Sequence, residues 1–349
     1  MSRKTIAVLF GGCSSEYDVS LQSACAVIET IDRDKYEIVM LGITRNGEWI
    51  KYDGPAGQIQ DDTWRRHPSC ARAVISPDRQ THGLLVTADD GTVSMKIDAA
   101  FPVLHGKNGE DGTLQGLLEL AGIPIIGCGV LSSAVCMDKD IAHRLVQAAG
   151  IKTTPSAVVT ASMREHDIMK AADGLKYPLF VKPANAGSSF GISQAADPSQ
   201  LLEAVHNAFG HDRKVVIEQA VEGFEVGCAV LGCDTLAVGE VDEIELRDGF
   251  FDYTEKYTLQ TSKIHMPARI SGETAARVKQ TAVIIYRALE CSGFARVDMF
   301  LTPQGDIVFN EVNTIPGFTA HSRYPGMLRG IGMSFADVVN TLIGQAVPT

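Results

Sequence analysis

Residues 295–313, ARVDMFLTPQGDIVFNEVN, constrain the fold more than any other stretch, because two alternating runs meet at a Pro-Gln-Gly turn and require a β-hairpin. With Gln304 and Gly305 at the turn centre, the numbers of facing residues sum to 609, which sets Asp298 across from Glu311 and Arg296 across from Asn313. Side chains two apart on a strand share a face, so one arginine, two carboxylates and one carboxamide converge on a single patch. Such hard oxygen donors suit Mg²⁺ when water and nucleotide phosphates fill its remaining positions. The competing reading is a solvated strand face with a cross-strand ion pair. The apolar residues between them, Val297, Met299, Val308, Phe309 and Val312, favour burial of both faces. Buried carboxylates need a cation, so the metal site is the preferred reading.

The rest of the chain must hold that hairpin. Its 349 residues exceed one ordinary core and suit two or three α/β domains. The net charge of -11, with no Lys/Arg-rich stripe, argues against nucleic acid and anionic membranes as partners. The start, MSRKTIAVLFGG, lacks a signal-peptide apolar region, and no run approaches transmembrane length, so a cytoplasmic location is expected. Eight cysteines occur without a CxxC pair or zinc-ligand spacing, and Cys128, Cys136, Cys228, Cys233 and Cys291 read as reduced core thiols.

TIAVLF, IVMLGI, AFPVLH and IPIIG read as buried strands, with the helical GTLQGLLELAG between the last two; an open, mainly parallel sheet is expected over 1–127. A helix is expected from about Ser132 through MDKDIAHRLVQAAG to a Gly150 stop, within a smaller central domain over 128–217. Residues 218–349 read as an α+β domain with antiparallel pairing that closes with a helix around Phe335 to Leu342.

Two segments rich in small residues could hold phosphate. FGGCSSEYDVS follows a strand and opens a helix, which leaves free N–H groups for an anion or merely a turn. AGSSFG follows the strand that carries Lys182 and reads either as a phosphate lid or as an exposed turn. Neither G-x-G-x-x-G nor G-x-x-x-x-G-K-[ST] occurs.

LFGGCSSEYDVSL, LHGKNGEDGTLQGLLELAGIP, MDKD, FVKPANAGSSFGIS, IEQAVEGFEVGCAVLG, DYTEKY, ARVDMF and FNEVNTIPGFTAHSRYP occur in that order. Together they resemble the D-alanine:D-alanine ligase family of the ATP-grasp fold across essentially the whole chain. The resemblance implies a three-domain α/β enzyme with ATP held between the central and C-terminal sheets. It implies phosphate binding by Lys139, Lys182, Ser188, Ser189 and Gly191, and binding of the adenine amino region and ribose hydroxyls by Glu218 and Glu225. Asp298, Glu311 and Asn313 match the ligands of two Mg²⁺ ions, for which Mn²⁺ can substitute.

For the substrates, the resemblance pairs Glu16 with the ammonium of the first D-amino acid and sets His105 beside it. Arg296 and the backbone N–H of Gly317 match the oxyanion site, and Ser322 matches a residue that holds the second substrate's carboxylate. Lys256 and Tyr257 match a mobile lid, with Tyr257 linked to Ser188 and Glu16. In HSRYP, Arg323 stands where ordinary D-alanine ligases usually carry leucine; arginine there with tyrosine at 257 resembles the D-alanine:D-serine ligases of vancomycin resistance. Asp242, Phe251 and Arg323 are then expected to shape a serine pocket. The expected reaction is ATP-dependent joining of D-alanine to D-serine or D-alanine through D-alanyl phosphate, in peptidoglycan precursor synthesis, by a homodimer. A housekeeping D-alanine:D-alanine ligase, another carboxylate-amine ligase of the same fold and a non-catalytic nucleotide-binding regulator are the alternatives. His67, His82, His143, His166, His206, His211 and His265 match no role and read as surface or core residues.

Overall fold

The structure, a computed structural model, describes residues 3–88, 91–187, 191–246 and 262–347. β1 (Lys4–Gly11), β2 (Tyr36–Ile43), β3 (Trp49–Tyr52), β4 (Ala71–Ile75), β5 (Gly83–Ala88), β6 (Gly91–Lys96) and β7 (Ala99–Val103) form one sheet in the order β6-β5-β4-β3-β2-β1-β7. Central β1 pairs in parallel with β2 and β7, and its run Ile6–Phe10 is buried, as two covered faces require. The parallel part ends there. β3 to β6 continue the sheet antiparallel, because the short link from β2 to β3 leaves no room for a crossover. IPIIG contributes only one parallel bridge, Ala100 to Ile125.

The helix expected from Ser132 to Gly150 is two helices, Val130–Met137 and Lys139–Ala148. Asp138 breaks it: its backbone is extended and its side chain accepts the N–H of Ile141 at 3.2 Å, an N-cap in mid-sequence. The cap swings Lys139 to the first position of the second helix.

β8 (Lys152–Thr153) precedes a four-stranded antiparallel sheet of β9 (Ser156–Thr160), β10 (Leu179–Pro183), β11 (Ser193–Ala195) and β12 (Lys214–Gln219), ordered β11-β10-β12-β9. β8 itself joins the third sheet with β13 (Phe224–Gly232), β14 (Leu236–Leu246), β15 (Ser262–His265), β16 (Phe294–Leu301) and β17 (Ile307–Asn313), ordered β15-β14-β13-β16-β17-β8. The closing helix is Phe335–Ala346, opened by a Ser334/Asp337 capping box. All eight cysteines are free thiols. Cys233, expected in the core, is exposed because it falls in the turn between β13 and β14.

The first sheet and the third share a core. Phe101 of β7 meets Phe294 of β16 and Phe318 edge-on, with ring centroids 6.1 and 5.9 Å apart. Beside this aromatic cluster the loops after β1 and β7 face the segment after β17.

Candidate active site

The hairpin pairs Asp298 with Glu311 and Arg296 with Asn313, as read from the sequence, but by a different route. Next to the turn the register is one residue away from the expected one: Leu301 faces Ile307 and Met299 faces Phe309. Asn310 is then an extra residue on β17, a bulge that restores the expected pairing where the polar side chains lie. Arg296 Nε lies 2.9 and 3.0 Å from the two oxygens of buried Asp298, and Arg296 Nη2 lies 2.7 Å from Oδ2. Asn313 Nδ2 donates to the same oxygen at 2.9 Å.

No group of three or more His, Cys, Asp or Glu side chains with metal-site geometry occurs among the described residues. The hairpin instead gathers two carboxylates and one carboxamide on one face. That donor set fits a hard divalent ion that keeps water and phosphate ligands. To serve, Asn313 must turn its oxygen inward and Asp298 must release one of its arginine bonds.

Lys182 of β10 and Glu218 of β12 form a buried pair, 2.6 Å from Nζ to Oε2. Burial raises the Glu218 carboxyl, but Lys182 and His143 outweigh it and hold the group below its usual range. Lys139 Nζ donates to the carbonyl of Ala186 at 2.7 Å, so both expected phosphate lysines approach the AGSSFG segment or its strand. Gly191 has φ +75°, a left-handed conformation that suits glycine. Ser188, Ser189, Phe251, Lys256 and Tyr257 lie outside the described residues.

Glu16 is buried where the loop after β1 meets two glycines. A Cβ on Gly106 or Gly187 would come within 2.5 or 2.9 Å of its Oε2, so both must be glycine for the carboxylate to sit there. His105 is locked rather than free. Its Nδ1 lies 2.7 Å from the carbonyl of Ile315, which can only accept, so Nδ1 carries the proton. Nε2 then accepts from Ser23 Oγ at 3.2 Å, and Ser23 Oγ accepts the N–H of Phe318 at 3.2 Å. Burial lowers the His105 pKa, in keeping with this neutral tautomer. Glu110 crosses the same seam, taking N–H bonds from Gly106 at 2.7 Å and Ile315 at 2.8 Å. These bonds fix the Ile315–Phe318 segment, and with it Gly317, against the loops that carry Glu16 and His105. A Cβ on Gly317 would lie 3.3 Å from Ser322 Oγ, which puts the two residues side by side.

Arg323 opens the helix Arg323–Arg329 and grips Asp242 of β14 with two bonds, Nε to Oδ2 at 2.7 Å and Nη2 to Oδ1 at 2.9 Å. The same guanidinium reaches Glu225 at 3.1 Å and Asp298 at 3.4 Å. Ser322 and Arg323 also line a cavity of about 360 Å³ bounded by Lys263, His321 and Arg329. The fork fits only because residue 227 of β13 is glycine: a Cβ there would come within 2.5 Å of Arg323 Nη2 and 2.6 Å of Asp242 Oδ1. Sequence reasoning passed over Gly227, Ser23, Glu110 and His143. A lone glycine inside the strand FEVGCAVLG is a signal of close approach that could have found the first.

Comparison with known proteins gives this arrangement a family. The model described as the D-ala D-ala ligase N-terminus matches residues 5–128, and that of the D-ala D-ala ligase C-terminus matches residues 145–344. The chain belongs to the D-alanine:D-alanine ligase family. Members are ATP-dependent ligases of the ATP-grasp fold, and use of ATP with a divalent metal is general among them. Among family relatives, the vancomycin/teicoplanin A-type resistance protein VanA of Enterococcus faecium is 44% identical over 99% of both chains. A D-alanine–D-alanine ligase of Caldicellulosiruptor bescii is 43% identical over 99% of this chain and 96% of its own length. The family fold is also seen in the crystal structure of VanG D-Ala:D-Ser ligase from Enterococcus faecalis, which has a TM-score of 0.93 and 55% identity and covers 99% of this chain and 100% of its own. No helix among the described residues is long and apolar enough to cross a membrane.

Proposed function

We propose that this ligase joins D-alanine to D-serine through D-alanyl phosphate, with D-alanine as a slower second acceptor, to supply peptidoglycan precursors with altered ends. The observation that carries the reading is the buried Arg323–Asp242 fork beside Ser322, which makes the wall of the acceptor cavity polar and cationic where a leucine would make it apolar. The 55% identity with a D-Ala:D-Ser ligase supports it, and the likeness to VanA supports a role in glycopeptide resistance.

In this reading Glu16 holds the ammonium of the first D-alanine, with its carboxylate toward Arg296 and the backbone N–H of Gly317. One carboxylate oxygen attacks the γ-phosphorus of ATP, the bond to the β-phosphate oxygen breaks, and ADP leaves. Lys139, Lys182, Ser188, Ser189 and Gly191 surround the phosphates, Glu218 faces the adenine amino group and Glu225 the ribose. Two Mg²⁺ ions held by Asp298, Glu311 and Asn313 supply charge neutralisation at the phosphates when bound. The amine of D-serine then attacks the acyl carbon, Arg296 and Gly317 N–H stabilise the oxyanion, and phosphate departs as the peptide bond forms. Ser322 takes the second carboxylate, while Asp242, Phe251 and Arg323 meet the serine hydroxyl. His105, with both nitrogens engaged by protein, orients the Ile315–Gly317 segment rather than exchanging protons. Lys256 and Tyr257 belong to the lid that excludes water from the acyl phosphate. The division into domains 1–127, 128–217 and 218–349, a homodimeric state and a cytoplasmic location are parts of the same proposal.

The test is a competition assay that offers D-alanine with D-serine and D-lactate, with products resolved by mass. D-alanyl-D-serine should dominate when the acceptors are supplied equally. Exclusive D-alanyl-D-alanine would identify a housekeeping ligase, and no D-alanine-dependent release of phosphate from ATP would leave a nucleotide-binding regulator.

A further inference from the structure

A bulge takes a residue out of the hydrogen-bond ladder, so the backbone groups it turns away from water must find partners elsewhere. Asn310 of β17 is that residue, and it has no register partner on β8, whose pairing with β17 ends at Phe309. The partner is a histidine from another element. His143, on the helix Lys139–Ala148, sets Nε2 3.0 Å from the Asn310 carbonyl. A carbonyl only accepts, so Nε2 carries the proton. The ring is buried and packs edge-on against Phe309, centroids 5.1 Å apart. Nε2 also lies 3.8 Å from Glu218 Oε1, an atom that has no hydrogen-bond partner among the described residues.

We infer that His143 is a positioning residue for the metal–nucleotide site: it holds the bulge that sets Glu311 across from Asp298 and Asn313 across from Arg296, and it stands beside the carboxylate that faces the base. Without the bulge the register near the turn would continue, and Asp298 would face Asn310 while Glu311 turned to the other face of the strand. The short helix then links three parts of the site, with Lys139 at its start on the phosphate side and His143 one turn later on the hairpin and on Glu218. The inference rests on the ligase reading in one respect, that the hairpin is where metal and nucleotide meet.

Titration calorimetry of ADP, with and without Mg²⁺, on the full chain tests it. His143→Leu keeps the volume and removes the donor; His143→Asn keeps polarity but falls short of the carbonyl; His143→Gln can still reach it. Loss of this part-buried hydrogen bond with its acceptor stranded should weaken Mg²⁺-ADP binding about tenfold in the leucine variant, and similarly in the asparagine variant should leucine prevent folding. Binding of metal-free ADP and the KM for D-alanine should change less than about threefold, and His143→Gln should restore most of the Mg²⁺-ADP affinity. Folded variants that lack the donor and bind Mg²⁺-ADP like the native protein, or that weaken both forms of ADP equally, overturn the role of His143. Failure of the native protein to bind Mg²⁺-ADP at all would instead overturn the ligase reading.

Discussion

Arg323 and Asp242 form a two-bond fork at 2.7 and 2.9 Å, with Asp242 wholly out of water. A guanidinium in that geometry is more than a polar wall, because it also touches Glu225 and Asp298 and so joins the proposed acceptor pocket to the proposed nucleotide side. Arg323→Leu should lower the ratio of kcat/KM for D-serine over D-alanine by about tenfold, the discrimination one polar contact commonly supplies. It should also destabilise the protein by about 3 kcal/mol, since the buried Asp242 side chain is left without its guanidinium partner. Adding Asp242→Asn should recover stability but not the preference. An unchanged kcat/KM ratio in Arg323→Leu would remove Arg323 from the specificity argument.

Gly227 makes the opposite kind of test, in which nothing polar is removed. Gly227→Ala would drive a methyl into Arg323 Nη2, Asp242 Oδ1 and the Met327 methyl at 2.5 to 2.8 Å. Its N–H already holds Asp242 Oδ1 at 3.0 Å, so the strand has no freedom to retreat. Overpacking of this kind costs about 1–3 kcal/mol, to be read from denaturant unfolding, and should depress turnover with D-serine more than with D-alanine. Equal losses with the two acceptors would mean that the fork plays no part in choosing between them.

At the hairpin, Asn313→Ala removes both the proposed amide ligand and a donor to Asp298. The Mg²⁺ concentration for half-maximal activity should rise about tenfold, and excess metal should recover much of kcat. Chelation of the native enzyme should abolish turnover until Mg²⁺ is returned. A variant with unaltered metal dependence would exclude Asn313 as a ligand.

Much of this was legible in the sequence for a stated physical reason, and some of it only through an accident of register. Asp298, Glu311, Arg296 and Asn313 could be grouped because strand alternation is strict. Their pairing came out as expected although the turn is centred one residue away, since the Asn310 bulge makes up the difference. Nothing in DIVFNEVN announces a bulge, and the group that takes up its carbonyl, His143, lies far away in the chain. β6 escaped for another reason: it is almost wholly exposed, so no apolar alternation marks it. Arg323 stood out only through the family resemblance, as an arginine where ordinary D-alanine ligases usually carry leucine, whereas Glu110 and Ser23 are ordinary polar residues until the fold brings Ile315 and Phe318 to them. Helix propensity favoured one helix through MDKD, and a single cap at Asp138 overrode it.

Glu110 offers a prediction in pH. Burial, and then the nearby charge of Glu16, push its carboxyl above the usual range, although two N–H bonds from Gly106 and Ile315 favour the charged form and restrain the shift. A carboxyl raised in this way keeps its proton in the native state at pH values where the unfolded chain has lost it. Folding then takes up a proton, and by linkage stability is greatest below the unfolded pKa and declines as pH rises toward the folded one. Glu110→Gln removes that titration and keeps one acceptor for the Ile315 N–H. The variant should be less stable than the native protein near pH 5, by about 1–2 kcal/mol for the N–H left facing an amide, but should lose less on going from about pH 5 to about pH 8. Unfolding curves across that window decide the point, since parallel pH profiles for the two proteins would mean that Glu110 does not titrate there. The seam also fixes Gly317, so kcat should fall in Glu110→Gln more than the KM for ATP rises; a change confined to ATP binding would detach Glu110 from the proposed oxyanion segment.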